Sequence, residues 1–142
     1  MFHFQLTSLR RSWVWLSLAV AVSGCGKASH DQFVPQATSA RAALETALKA
    51  WQSGAAYDTI KSATPAVQPF DARWQSGAKL KSFEIVREMP QEGQEPKKFE
   101  VRVELEGAES ITDAYLVLGK DPLHVFREQD YQKASGVGGG SP

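Results

Sequence analysis

The pattern of apolar and polar residues first predicts an amphipathic helix between residues 38 and 53. Apolar residues recur there every three or four positions, which places them on one helical face: Ala40, Leu44, Ala47, Leu48 and Trp51. The other positions are polar residues or alanine, and Glu45 and Lys49 form an i,i+4 pair in the favourable order. One face of this helix is therefore expected to pack on a core.

After residue 77 the period of the pattern changes from helical to two residues, which is typical of β-strands. The second of the predicted strands alternates without a break, with four apolar residues between charged ones: Phe99, Val101, Val103 and Leu105. In all, the sequence predicts four strands, at 79–87, 98–106, 110–118 and 123–127. Their connections are short, and short connections join antiparallel neighbours.

These elements predict an α+β fold, in which an N-terminal amphipathic helix packs on a four-stranded antiparallel curved sheet. A sheet with one apolar face needs a cover, and the helix supplies it. The order of elements resembles the cystatin-like and NTF2-like folds, and the resemblance covers residues 37–131. NTF2-like domains have more helix than this chain offers, so the cystatin-like variant suits it better.

The first 24 residues read as an export signal rather than as part of the fold. Two arginines and no acidic residue precede a short apolar run that ends in Val22-Ser23-Gly24-Cys25. These four residues resemble the bacterial lipobox. The resemblance implies cleavage before Cys25 and a diacylglycerol on its sulfur; the alternative is a plain signal peptide with Cys25 as a bystander. We expect a protein exported and anchored by lipid on the periplasmic side of the inner or outer membrane.

The rest of the chain divides by composition into three parts. Residues 25–36 are mostly polar and are predicted to be a flexible tether from the lipid to the domain. Residues 37–133 carry the periodic segments and form the α+β domain. Residues 134–142 are rich in glycine and are predicted to be a disordered tail, because they offer little apolar surface to bury.

Charge and cysteine content exclude several classes of function. The chain has 16 basic and 16 acidic residues, and loss of Arg10 and Arg11 with the signal leaves a net charge of −2. Such a chain lacks the positive surface that nucleic acids require, so no nucleic-acid partner is expected. The single cysteine, Cys25, rules out an internal disulfide and a cysteine-rich zinc site.

The stretch from Asp71 to Leu80 resembles a segment of small uncharacterised lipoproteins of planctomycete type. Asp71, Trp74, Gly77 and Leu80 carry the resemblance, which implies location and fold but no chemistry. From the residues themselves, the stretch is expected to be a turn that leads into the first strand. Trp74 would pack at the end of the sheet, with ligand contact as the alternative.

Few residues offer catalytic chemistry. His124 is the only histidine in the predicted domain, and with Asp113 or Asp121 it would form an acid–base pair of the kind that NTF2-like isomerases and dehydratases use. The alternative for His124 is a place on the solvated face of a strand. No metal site and no cofactor are predicted, because clustered metal-ligating residues and nucleotide-binding motifs are both missing from the sequence.

Two functions from different classes remain open. The first is a non-catalytic envelope protein that is anchored through Cys25 and binds an unknown envelope protein or ligand. The second is a small-molecule binder, or a lyase or isomerase, with a cavity between helix and sheet. Aromatic residues are candidates to line such a groove, although core packing is the alternative for each: Trp51, Trp74, Tyr115 and Phe126.

Overall fold

The computed structural model describes residues 33–62, 64–93 and 95–136, which form an α+β fold. The predicted signal peptide and Cys25 lie outside the described residues. The helices are α1 (Ala37–Gln52), α2 (Ala72–Gln75) and α3 (Glu128–Ser135), with a 3-10 turn at Thr59–Ser62. The strands are β1 (Val67–Phe70), β2 (Leu80–Glu88), β3 (Lys97–Leu105), β4 (Ile111–Leu118) and β5 (Leu123–Arg127).

The sheet has five strands in the order β1-β5-β4-β3-β2. The four predicted strands are present as β2 to β5, and each pairs with its neighbour in antiparallel fashion. The prediction of a four-stranded, wholly antiparallel sheet was wrong, because β1 pairs with β5 in parallel. Pro69 hides this strand in the sequence, since proline lacks an N–H for the ladder and is confined to edge strands and bulges.

Helix α1 is present as predicted and lies across the sheet. Its N-terminal half packs near β1, and at its other end Trp51 Nε1 donates to the Ala78 carbonyl oxygen at 2.7 Å, just before β2. Sixteen residues of helix span about 24 Å, enough to cross a five-stranded sheet with strands about 4.8 Å apart. The core lies between them, and its fully buried side chains include Leu44, Phe99, Val101 and Val103.

The two shorter helices differ from the prediction. The stretch after Asp71, expected to be a turn, contains the single-turn helix α2. At the other end, α3 runs two residues past the predicted domain boundary at 133, so Ala134 and Ser135 are helical rather than part of a disordered tail. Tyr131 of α3 packs edge-on against Phe126 with ring centroids 5.3 Å apart, and this contact holds α3 on the face of the sheet opposite α1.

The charged face of β3 is solvated, as its alternation predicts. Its charges pair across the strands: Arg87 with Glu100 at 2.8 Å, Glu84 with Arg102 at 2.6 Å, and Lys81 with Glu104 at 2.5 Å. Exposed pairs of this kind contribute at most about 1 kcal/mol each. The face therefore adds solubility and register rather than a large part of the stability.

The turn between β4 and β5 joins the start of the described chain to the sheet. The N–H of Gly119 donates to the carbonyl oxygen of Phe33 at 2.6 Å. Gly119 has a φ of +86°, and a Cβ at this position would lie 2.7 Å from the carbonyl oxygen of Pro122. Gly107, in the turn between β3 and β4, also has a positive φ of +76° but has open space around it.

We predict that Gly119→Ala destabilises the fold more than Gly107→Ala. Both variants bear the strain of a left-handed alanine, about 1–2 kcal/mol. Gly119→Ala also forces the Pro122 backbone to move, which further lowers the free energy of unfolding. Urea unfolding measures the two free energies, and equal losses would show that the close approach at Gly119 does not matter.

Candidate functional site

The structure does not bring His124 and Asp113 together. His124 alternates with the buried core residues Leu123 and Val125, so its side chain lies on the opposite face of the sheet, stacked on Phe70 with ring centroids 5.8 Å apart. Asp113 lies on the face that α1 covers. His124 pairs with Leu118, and five residues of β4 at about 3.4 Å each separate that position from Asp113. An acid–base pair of these two residues is therefore not assembled.

The four aromatic candidates for a groove separate in the same way. Trp51, Trp74 and Tyr115 are buried on the α1 side, with only 2, 6 and 2% of their surface exposed. Phe126 lies on the other face, stacked on Phe70 at 4.3 Å. The alternation of β5 contains this signal, because Phe126 is out of phase with Leu123 and Val125. The four residues thus do not line one groove.

Trp51 of α1 and Trp74 of α2 form a stacked pair in the core, where these two helices meet. Their ring centroids lie 5.7 Å apart with the planes 11° from parallel. Trp74 Nε1 donates to the Ala55 carbonyl oxygen at 3.1 Å, so the polar atom of each indole is satisfied by backbone. A shallow groove of about 220 Å³ opens beside the pair, between Tyr57 and Lys79. Core packing, the alternative for these residues, describes them best.

A buried polar cluster lies next to this pair, and the sequence named three of its four residues but did not group them. We call it the Asp71 cluster, and its members are Asp71, Arg73, Asp113 and Tyr115. Asp71 caps α2, because its Oδ1 accepts from the Arg73 backbone N–H at 2.9 Å. The Arg73 guanidinium also binds Asp71, through Nε at 3.2 Å and Nη2 at 2.9 Å. Only 4% of the Asp71 side chain is exposed.

Strand β4 supplies the other half of the Asp71 cluster. The Tyr115 hydroxyl donates to Asp71 Oδ2 at 2.6 Å, and Arg73 Nη1 donates to Asp113 Oδ2 at 2.7 Å. Beneath them the Arg73 guanidinium carbon lies 5.8 Å from the centre of the Trp51 ring, close enough for a cation–π contact. One arginine therefore links the end of β1, helix α2 and strand β4.

The electrostatics of the Asp71 cluster are those of a closed ion network. Burial, and then the negative charge of Asp71, raise the pKa of Tyr115 well above its usual range. Burial alone would lower the pKa of Arg73, but its bonds to Asp71 and the surrounding negative charge leave that pKa raised. Each carboxylate oxygen of Asp71 accepts two hydrogen bonds from within the cluster. Both carboxylate oxygens of Asp71 are therefore occupied by donors.

A second ion pair supports the cluster from α3. Arg127 binds Asp130 through two contacts, at 2.9 and 2.7 Å, and Asp130 Oδ2 also accepts from the N–H of Ala72 at 3.0 Å. Burial works against the charge of Asp130, but these donors lower its pKa overall. The first N–H of α2 is thus held by α3 from the far end of the chain.

Within the described residues no three or more histidine, cysteine or acidic side chains are grouped so that they could hold a metal ion. In the same part of the chain no helix is both long enough and apolar enough to cross a membrane. Comparison with known proteins found no matching family model, no matching curated protein and no matching solved structure.

We predict that Arg73→Gln is strongly destabilising, whereas Arg102→Gln is not. Loss of the Arg73 charge leaves two largely buried carboxylates without their partner, which costs roughly 3–5 kcal/mol. Arg102 makes an equally short pair with Glu84, but both side chains are more than half exposed, so its loss costs less than about 1 kcal/mol. Urea unfolding of both variants checks this difference. Similar losses would contradict a structural role for the Asp71 cluster.

A second prediction follows from the raised pKa of Tyr115. The unfolded tyrosine releases its proton near pH 10, while the folded one keeps it. The contribution of Tyr115 to the free energy of unfolding therefore falls as the pH rises above about 10. Tyr115→Phe costs about 1–3 kcal/mol at neutral pH, because Asp71 loses a donor. The difference in stability between the wild type and Tyr115→Phe should then become smaller at alkaline pH. Thermal unfolding measures it: a difference in melting temperature that stays constant between neutral pH and about pH 11 would refute the raised pKa of Tyr115.

Proposed function

We propose that this protein is an exported, lipid-anchored, non-catalytic binding module of the cell envelope. The sequence Val22-Ser23-Gly24-Cys25 carries the proposal, because it follows a basic start and a short apolar run. Acylation of Cys25 at more than one position gives stable anchoring, whereas a single chain binds only marginally. The resemblance to small planctomycete-type lipoproteins supports the same location, on the periplasmic side of the inner or outer membrane.

The hydrogen bonds within the Asp71 cluster support a role without catalysis. A catalytic carboxylate must reach its substrate, but the oxygens of Asp71 are consumed by Arg73 and Tyr115. The lyase or isomerase alternative relied on His124 and Asp113, which lie on opposite faces of the sheet. Among the contacts of the described residues none favours that alternative, so the binding role stands as the proposal.

The fold relationship is a proposal of the same kind. A cystatin-like arrangement is supported by the four antiparallel strands β2 to β5 and by the single helix α1 that lies across them. The parallel strand β1 and helix α3 are additions to that pattern. Such a sheet offers an edge strand and a broad face to a partner. The partner we propose is an envelope protein or ligand, not a nucleic acid.

Replacement of Cys25 tests the anchor. In cells fed an alkyne analogue of palmitate, the wild-type protein should be labelled and should sediment with membranes. Cys25→Ser removes the acceptor sulfur, so label and sedimentation should both be lost. Ser23→Ala keeps a small residue in the motif and serves as the control, which should behave like the wild type.

The outcomes separate the two parts of the proposal. A Cys25→Ser variant that stays in the membrane fraction would contradict the lipid anchor. The binding role is tested in the same strains by crosslinking in intact membranes. If no adduct depends on the wild-type anchor, the binding role is contradicted even when the anchor is confirmed.

A further inference from the structure

The exposed aromatic ring of Phe33 lies at one defined end of the molecule. This side chain is 58% exposed, more than the other large apolar side chains that reach solvent in the described part of the chain. Its carbonyl oxygen accepts from the N–H of Gly119, so the residue is attached to the turn after β4. The start of β1, the start of β5 and the N-terminus of α1 meet at the same end.

Next to Phe33 this end forms a shallow face of apolar and polar residues. A groove of about 480 Å³ is lined there by Val34, Pro35, Pro65, Leu123 and the exposed Lys120. A second groove of about 340 Å³ continues from it along the first turns of α1, and the two share Ser39 and Pro65. We call the surface made by Phe33, Val34, Pro65 and Lys120 the basal face.

The short chain between Cys25 and Phe33 limits how far the basal face can lie from a bilayer that holds a lipid on Cys25. Only seven residues lie between Cys25 and Phe33, and the eight steps from one to the other span at most about 28 Å when fully extended. A lipid on Cys25 therefore keeps the basal face within that distance of the bilayer. The other end of β4, at Ile111, lies seven residues and about 24 Å further from the turn. Tethering therefore raises the effective concentration of lipid more at the basal face than at the Ile111 end.

We propose that the basal face rests on the bilayer that holds Cys25, with the Phe33 ring in the headgroup region and Lys120 facing lipid phosphates. Exposed phenylalanine buries its ring at the boundary between headgroups and acyl chains, and lysine there gains from anionic lipid. The inference rests on the proposed lipid anchor. It adds an orientation, because the Ile111 end of the sheet then points away from the membrane and is open to a partner.

Bromolipid quenching of introduced tryptophans tests this orientation. The lipidated full-length mature protein is reconstituted into phosphatidylcholine–phosphatidylglycerol vesicles, with or without bromine on the acyl chains. Phe33→Trp and Ile111→Trp each place an indole at an exposed apolar position, at opposite ends of β4. The buried Trp51 and Trp74 supply the same background in both. We expect brominated vesicles to quench the fluorescence of the tryptophan introduced by Phe33→Trp. The fluorescence of the tryptophan introduced by Ile111→Trp should not change.

Charge reversal supplies a second arm. In the Phe33→Trp background, Lys120→Glu should reduce the bromolipid quenching in anionic vesicles, because the glutamate is repelled by the phosphates. Lys79→Glu reverses an exposed charge at the other end of the sheet and should leave the quenching unchanged.

The outcomes distinguish this inference from the proposed function. Suppose that the protein sediments with vesicles but the two introduced tryptophans are quenched equally, or that the one from Phe33→Trp is not quenched at all. Either result would contradict the proposed orientation and leave the proposed anchor intact. Protection of that tryptophan from aqueous acrylamide in the lipid-free Cys25→Ser mature protein, without vesicles or detergent, would assign the basal face to a second copy instead. Absence of lipid on Cys25 would overturn both.

Discussion

The carboxylate of Asp71 is the group on which the rest of this fold depends. A buried charge costs several kcal/mol unless it is paired and hydrogen-bonded, so its partners must occupy fixed places. Arg73 and Tyr115 meet that requirement, one from the helix that Asp71 itself caps and the other from β4. In this way one carboxylate sets where β1 ends, where α2 begins and how both lie on the sheet.

The same requirement fixes the side chains around Asp71. Arg73 binds two carboxylates, and burial raises the pKa of Tyr115, so both side chains hold the ends of β1 and α2 against β4. The proposed anchor at Cys25 would make the two ends of the sheet inequivalent, because the turn at Gly119 lies near the start of the domain and Ile111 lies at the far end of β4.

The long helix and the four main strands were predictable because their signals are local. The spacing of Leu44, Leu48 and Trp51 and the alternation from Phe99 to Leu105 need only neighbouring residues to be read. The position of Phe126 was also readable, since it is out of phase with Leu123 and Val125. A short edge strand with a proline, such as β1, has no comparable signal, and only its parallel pairing with β5 reveals it.

By itself the sequence determined α1, strands β2 to β5 and the prediction of an export signal ending at Cys25, because periodicity and short motifs act over a few residues. Only the tertiary structure decided the Asp71 cluster, whose members Asp71 and Tyr115 are 44 residues apart in the chain. It also decided that His124 and Asp113 face opposite sides of the sheet. Contacts between residues so distant depend on strand register and on which face each side chain occupies, and those are set only when the whole sheet has assembled.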